Sequence, residues 1–558
     1  MRSVVVHGHF YQPPREEPWL EILEREPSAA PYHDWNQRIE HECYSAVCAA
    51  RLPQDGNGEP RLVNLMSRLS FDFGPTLLTW LEREADPTYR TILQSDAQSA
   101  SRLGHGNAIA APYHHVILPL ASPRDRRTEV RWGLRDFRRR FGRDPEGFWL
   151  PETAVDQATL DVLSAEGIRF TILAPHQVRP RPERGLPAWV DTAGGGRIAI
   201  FAYDGAIAHE VAFGALIRDG EAWARRMLTP PAVAGNAGPS LVSLATDGET
   251  YGHHHKFGEM ALAAMLEQVE GAGAVVENYA SFLARHPPRE TVELVAASSW
   301  SCVHGIERWR DDCGCRLEPD TQQRWRAPLR HALEWLGHQA AERFERECGR
   351  LGVDGWALRD TYQGDGVLGN SAPSSSSLLE LLEQQRQALR MFTSCGWFFD
   401  DIAGIEPRIC LRHAARVIEL AGAEGRAWRD GLLDRLRAAL ANDPVDGSGA
   451  EVFRTRVESR FAAEELAAAA AAVIQHVQGV APENVGVFAV DGAEGGRVTV
   501  RDRRTGRVAG CSATVLWRAA GLVVRLELNG RIVEIPRSAL PEPARFALAA
   551  RHPEQADR

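Results

Sequence analysis

The chain has 558 residues, 44% of them hydrophobic and 25% charged, with a formal net charge of −10. That length exceeds one ordinary domain, and the acidic balance excludes a dominant nucleic-acid or anionic-membrane partner, since either requires a basic face. No run approaches the roughly 20 apolar residues that span a bilayer, and the opening MRSVVVHGHF lacks the apolar core of a signal peptide. Nine scattered cysteines do not form a disulfide framework, so a reducing, cytoplasmic location is expected.

The first predicted strand, Val4-Val5-Val6, runs into His7-Gly8-His9-Phe10-Tyr11-Gln12-Pro13-Pro14. Alternation along a strand puts His7 and His9 on one face, where two imidazoles can bind a metal or hydrogen-bond a hydroxyl or carboxylate. A second histidine pair lies in Tyr113-His114-His115-Val116-Ile117-Leu118-Pro119-Leu120, and the arginine-rich stretch 135–140 reads as a solvated helix face. Next comes Phe148-Trp149-Leu150-Pro151-Glu152, which delivers a carboxylate from the end of a short apolar run. Further strands are expected at 170–174, 198–203 and 241–245. The last of these ends in Thr246-Asp247-Gly248-Glu249-Thr250-Tyr251-Gly252-His253, a second carboxylate site followed by His254 and His255. A sixth strand is expected at 292–296. Continuous apolar strands separated by helices indicate a covered parallel sheet, either a barrel or a doubly wound sheet, and no GxGxxG supports a dinucleotide site. Chemistry-bearing residues that follow strand ends fit a barrel.

The pattern turns helical over 322–348, 378–393, 409–420, 428–441 and 452–476, with apolar residues at three- and four-residue spacing, as in Leu329, Leu333 and Leu336. Ser374-Ser375-Ser376-Ser377 reads as a loop. After 478 short alternating runs separated by turns such as Asn529-Gly530 predict a small antiparallel β module. The expected domains are therefore a barrel over 1–316, a helical domain packed on it over 317–478, and a β-rich module over 479–558.

Two carboxylates delivered from two strand ends are the minimal equipment for glycoside hydrolysis. In order and character, the blocks 7–13, 113–120, 148–152 and 247–253 resemble the successive sequence blocks of glycoside hydrolase family 57. The stretches 300–309 and 391–401 resemble a subfamily in which a domain of unknown function follows the barrel. The resemblance implies an incomplete (β/α)7 barrel acting on α-glucans, as amylase, 4-α-glucanotransferase or branching enzyme. It implies Glu152 as catalytic nucleophile, Asp247 as general acid/base, and His7 and His9 beside the bound sugar. Gln12, His114, Trp149, Tyr251, His253, Trp300 and His304 are the further candidate substrate-binding residues, and Glu249 reads equally as a supporting group or a solvent-facing residue. The first block carries Phe10 and Tyr11 before Gln12-Pro13, where better-known members have a shorter His-x-His-Gln-Pro run. No cofactor is expected. Cys302, Cys313 and Cys315 beside His304 form a Cys-rich patch, read as thiols without metal. Two rival readings stand beside this one. A metal-dependent polysaccharide deacetylase-like hydrolase would use His7, His9, Asp247 and a histidine of the triplet as ligands, and a catalytically silent carbohydrate-binding protein would keep the barrel without turnover.

Overall fold

The computed structural model describes residues 2–53, 59–229, 238–295, 297–362, 375–519, 521–528 and 530–551. These divide into two compact units, one made of Met1–Pro14 and Ser28–Cys315, the other of Arg15–Pro27 and Arg316–Arg558.

In the first unit, β1 (Arg2–Phe10) is buried along nearly its whole length, as an apolar strand covered on both faces must be. It pairs in parallel with β2 (Ser70–Phe73) on one side, and β2 bridges in parallel to Ala108. Ala110 continues the parallel series to β3 (Gly147–Phe148), which leads on to β4 (Phe170–Leu173) and β5 (Arg197–Ala202). On its other side β1 pairs in parallel with β6 (Ser240–Asp247). The Asp204 N–H donates to the Ser243 carbonyl at 2.7 Å and so links the ends of β5 and β6. The antiparallel strand Ala188–Asp191 fills the rest of that edge of β5. Helices connect the parallel segments, among them α1 (Asp86–Leu103), α2 (Pro123–Phe141), α3 (Gln157–Ala165), α4 (Gly205–Ala212) and α5 (Gly258–Gly271). In α2, Ser122 caps the N-terminus by accepting from the Asp125 N–H, and Gly142 ends the helix in the left-handed conformation.

The sequence reading missed β2, whose Ser70-Phe71-Asp72-Phe73 does not look like a buried parallel strand, and the short segment around Ala108. The expected strand at 292–296 shrinks to Glu293–Leu294, which pairs antiparallel with Val178–Arg179 outside the parallel series, and Ala296 lies outside the described residues.

The second unit holds α6 (Arg326–Leu351), α7 (Ser376–Arg390), α8 (Ile405–Leu420), α9 (Gly425–Leu436) and α10 (Ala463–Gln478). The single helix expected over 452–476 is broken: Gly449–Val452 runs into a π turn, and α10 starts only at Ala463. Ser375 is the N-cap residue of α7, and Ser374 lies outside the described residues. The β module is a six-stranded antiparallel meander from β7 (Asn484–Val485) through β8 (Phe488–Glu494), β9 (Arg497–Asp502), β10 (Val508–Arg518) and β11 (Gly521–Leu528) to β12 (Arg531–Pro536). Leu528 pairs with Arg531 across the last hairpin, whose Asn529 lies outside the described residues.

This sheet packs against α10, whose alanine run 467–472 is buried throughout. Small side chains let a helix lie close to a sheet, which accounts for a run of alanines where larger apolar residues would otherwise stand. Ion pairs of Arg531 with Glu465 and Arg507 with Glu464 tie the two together. The segment Arg15–Pro27 belongs to this unit: the Leu20 carbonyl accepts from the Val487 N–H at 2.7 Å, and buried Glu21 pairs with Arg386 and Arg504. The aromatic run at 391–399 is buried at Met391 and Trp397. Asp400 and Asp401 cap local backbone. Asp400 accepts from the N–H groups of Leu317 and Glu318, and Asp401 from those of Ala403 and Asn442.

Candidate functional site

Strand register assembles the site. In β1 His9 lies level with Asp72 of β2 on one side and with Asp247 of β6 on the other, and His7 lies level with Ser70. Level residues of neighbouring parallel strands point to the same face, so His9, Asp72 and Asp247 form a row at the C-terminal strand ends. Asp72 is fully buried and bridges both histidines: His7 Nε2 lies 3.1 Å from Oδ1 and His9 Nδ1 2.9 Å from Oδ2. The second nitrogen of His7 bonds Ser70 Oγ at 3.0 Å, and that of His9 meets Nε2 of His115 at 2.9 Å. Trp149 stacks beneath both histidines, with ring centroids 4.8 and 5.0 Å away.

Burial opposes charge on His9, but Asp72, and then Asp247 and Glu249, outweigh it and raise its pKa to about 9. His115 is pushed well below its ordinary value, by burial first and by the neighbouring His9 second. Protonated His9 can therefore donate its Nε2–H in a hydrogen bond to the neutral ring of His115. Burial lowers His7 as well, against the pull of Asp72.

Glu152 leaves the end of β3 in a left-handed conformation, with φ 59° and ψ 18°, and Thr153 follows at φ 50°. Two successive non-glycine residues in that region store about 1–3 kcal/mol of strain each, which the surroundings must over-determine. They do so through backbone bonds from the Trp300 N–H to the Glu152 carbonyl and from the Thr153 N–H to the Leu150 carbonyl. The carboxylate Oε2 accepts from Trp300 Nε1 at 3.0 Å and from Ser301 Oγ at 2.6 Å. Burial raises the pKa of Glu152, Ser301 pulls it back, and nearby Asp247 raises it further. Asp247 is raised too, by burial first, with His9 opposing and Asp72 adding to the rise. Its side chain still reaches solvent, so it lies at a solvated opening within an otherwise desolvating surround. Tyr203 stands within electrostatic reach of Asp247, and Arg308 of Glu152.

Glu249, two residues beyond Asp247, is buried and accepts from Tyr44 OH at 2.6 Å and from the Tyr11 N–H at 3.3 Å. Burial raises its pKa to about 7. The glycine between the two acids is required by packing. Gly248 is absent from the left-handed region, and a Cβ there would lie 2.2 Å from the Phe10 ring.

The remaining candidates divide. Half-buried Trp300 lies on Glu152 and edge-on to Trp149. Trp149 itself is fully buried, so it supports the histidines from below and offers no open ring face. Gln12 is half-buried, and its backbone carbonyl accepts from Thr76 Oγ1. His114 is fully buried against α2, bonded to Glu129 at 2.8 Å and edge-on to Trp132, and its neighbour His115 lies beside His9. Tyr251 is likewise fully buried, its hydroxyl accepting from Thr246 Oγ1 and its ring parallel to Trp223. His253 pairs with Glu42 at 2.5 Å, and His304 lies beside Cys315. Asp72, Tyr44, Ser301 and His115 were not selected from sequence. Only strand register or long-range packing brings them in.

Among the described residues, one group of His, Cys, Asp and Glu gathers donor atoms as a metal would require, and it consists of Cys302, His304, Cys313 and Cys315. His7, His9, Asp247 and the histidine triplet do not, since His253 turns to Glu42 and His255 to the Ala212 carbonyl. The deacetylase-like reading therefore lacks its ligand set.

Residues 38–295 match the family model described as Glycosyl hydrolase family 57. Residues 322–374 and 367–521 match the model of a domain of unknown function, DUF3536. The family whose blocks the sequence resembles is thus the one whose model matches, over 38–295, with the DUF3536 model matching behind it. His7 and His9 lie ahead of the matched stretch. Among solved structures the chain is similar to an exo-type maltose-forming amylase from Pyrococcus sp. ST04, at 15% identity and TM-score 0.59 over 78% of this chain and 83% of that one. It is also similar to a branching enzyme from Pyrococcus horikoshii, at 16% identity and TM-score 0.47 over 81% of this chain and 93% of that one. The α-amylase AmyC from Thermotoga maritima matches at 12% identity and TM-score 0.48 over 81% and 99%. No curated protein matches the chain.

Proposed function

We propose that the protein is a retaining, α-glucan-active glycoside hydrolase or transglycosylase, built on an incomplete (β/α)7 barrel, with Glu152 as nucleophile and Asp247 as general acid/base. One observation carries the assignment of roles. The two raised carboxyl groups feel one another, yet Glu152 receives two hydrogen bonds from Trp300 and Ser301, whereas Asp247 receives none from the described residues. Donors stabilise the ionised form, which favours holding a single proton shared by the pair on Asp247 and not on Glu152, against the opposing pull of His9. That is the arrangement a double displacement needs at its start.

Glu152 attacks the anomeric carbon as the protonated Asp247 carboxyl gives its proton to the leaving glycosidic oxygen. A glycosyl ester then joins the sugar to Glu152, and Asp247 is left ionised. Asp247 next takes a proton from water or from a sugar hydroxyl, whose oxygen displaces Glu152 and restores both groups. Hydrolysis and transfer share these residues and differ in which acceptor is held. Positively charged His9, anchored by Asp72, faces the developing charge on Asp247, and flat Trp300 offers its half-exposed surface to a pyranose.

Incubation with maltooligosaccharides and amylose, with products resolved by length and branching, tests the activity. Glu152→Gln should abolish turnover and retain glucan binding. Asp247→Asn should be severe but partly rescued by a substrate with an activated leaving group, which needs little protonation. Near-normal rates for Glu152→Gln, or a first-formed β-anomer by proton NMR, would refute the proposal.

A further inference from the structure

We propose that Cys302, His304, Cys313 and Cys315 form a structural zinc site in the segment that holds Glu152. Their donor atoms all lie within 4.8 Å of one another. Cys302 Sγ is 3.8 Å from the sulfurs of both Cys313 and Cys315, and Cys315 Sγ is 3.7 Å from His304 Nδ1. A tetrahedral zinc with metal–sulfur bonds of about 2.3 Å places its sulfurs roughly 3.8 Å apart. A disulfide would bring two of them to about 2.05 Å and leave the third aside. Here Cys302 is equidistant from two thiols, so the geometry selects no pair. Three thiolates and one imidazole are a soft donor set that suits zinc.

The backbone explains how two short arms deliver four donors. In the turn Cys302-Val303-His304 the two donors converge while Val303 between them is 90% exposed. In Cys313-Gly314-Cys315 the middle residue has φ 83°, which glycine adopts without strain. Gly305 turns the first arm back at φ 88°, where a Cβ would meet the Ala297 carbonyl oxygen at 2.4 Å. Four protein donors leave no open position, which marks a structural rather than a catalytic metal.

Between Trp300 and α6 the chain holds one short helical turn, Glu307–Trp309, and no strand. A metal tie supplies there the order that a ladder of backbone bonds would supply elsewhere. The first ligand follows directly on Trp300 and Ser301, whose side chains hold the Glu152 carboxylate. The site thus acts on the proposed chemistry as a positioning device. That role rests on the nucleophile assignment, while the existence of the site does not.

The full-length protein, purified under reducing conditions from zinc-containing medium, is expected to carry one zinc per chain by elemental analysis. Protein reconstituted with cobalt(II) should show the charge-transfer absorption of thiolate-bound tetrahedral cobalt. Cys313→Ser and Cys315→Ser should each lose most of the zinc, and His304→Ala should hold it more weakly. Release of zinc from the wild type by a mercurial reagent followed by chelation should open 300–316 to protease. Wild-type protein without zinc and without the cobalt band would overturn the proposal with no variant needed. So would a disulfide among these cysteines in freshly prepared protein, or zinc that survives a combined Cys302, Cys313 and Cys315→Ser replacement. Zinc lost from a His9→Ala variant and retained by the cysteine variants would overturn it in favour of a metal-dependent hydrolase. Zinc content is read independently of turnover, so an inactive protein that carries cysteine-bound zinc rejects the glucan reading and keeps the site.

Discussion

Replacing Ser301 with alanine tests the nucleophile assignment through its pH dependence. Ser301 Oγ donates to Glu152 Oε2 at 2.6 Å, a length in the range of charge-assisted bonds. Such a bond to an ionised group contributes about 1.5–3 kcal/mol. At about 1.36 kcal/mol per pKa unit, its loss should move the Glu152 pKa up by roughly 1–2 units. Trp300 Nε1 remains as the second donor and limits the rise. A nucleophile must be ionised to attack, so the acid limb of kcat/KM against pH should move up by that amount. Rates below the limb should fall by roughly 10- to 100-fold, and rates should converge with the wild type on the alkaline side until the Asp247 limb sets in. Ser301→Thr, which keeps the hydroxyl, should restore the wild-type profile. The assay is initial-rate hydrolysis of a maltooligosaccharide across the pH range. A loss equal at every pH, with the acid limb in place, would refute the reasoning, because Ser301 would then support the fold and not the ionisation of Glu152.

Glu249→Gln keeps an acceptor for Tyr44 and the Tyr11 N–H and removes a titrating group whose pKa is raised by burial from 4.5 to about 7. The fold retains that proton where the unfolded chain has lost it, so the wild type should lose stability as pH rises from 4.5 to 7, by on the order of 3 kcal/mol. Denaturant melts of the variant should lack that slope. Glu21→Ala removes one of the two carboxylates that pair with buried Arg386, leaving Glu383, and should cost about 1.5–3 kcal/mol. Arg386 and Arg504 hold Glu21 well below its ordinary value despite burial, so the wild-type contribution is present above the unfolded pKa and lost as pH falls through the folded one. Cutting the chain after Arg316 should give insoluble or inactive protein, since Arg15–Pro27 loses every partner in its own unit, and a soluble, fully active fragment would contradict this. Removing residues after Gly479 is expected to destabilise the second unit by baring the alanine face of α10. A melt unchanged by that deletion would count against the packing argument.

Local sequence determined the elements whose signal is local. Unbroken apolar runs such as Val4-Val5-Val6 bury both faces and read directly as parallel strands, as did the stretches that became β4, β5 and β6. The helical periodicity of the second half and the alternation across 484–536 were equally legible, because each depends on repeat spacing alone, whereas the helix Glu542–Arg551 within the expected β module was not foreseen. Glu152 and Asp247 stood out because each follows an apolar run within a recognisable block. What tertiary structure decided was lateral. Asp72 sits in a strand with two polar residues in four and gains its role only because register sets it beside His9, level with Asp247 across β1. His115 and not His114 faces that row, a choice between adjacent residues made by backbone direction and by Glu129 of α2. Gly248 gives clearance to the Phe10 ring, a packing need that no local pattern shows. Cys302, His304, Cys313 and Cys315 form no familiar spacing in the chain, and folding of an irregular loop around Gly305 and Gly314 brought their donors together. Residues at i and i+2 on one strand are neighbours by covalent geometry, whereas partners across strands and loops are set by packing that no local pattern encodes.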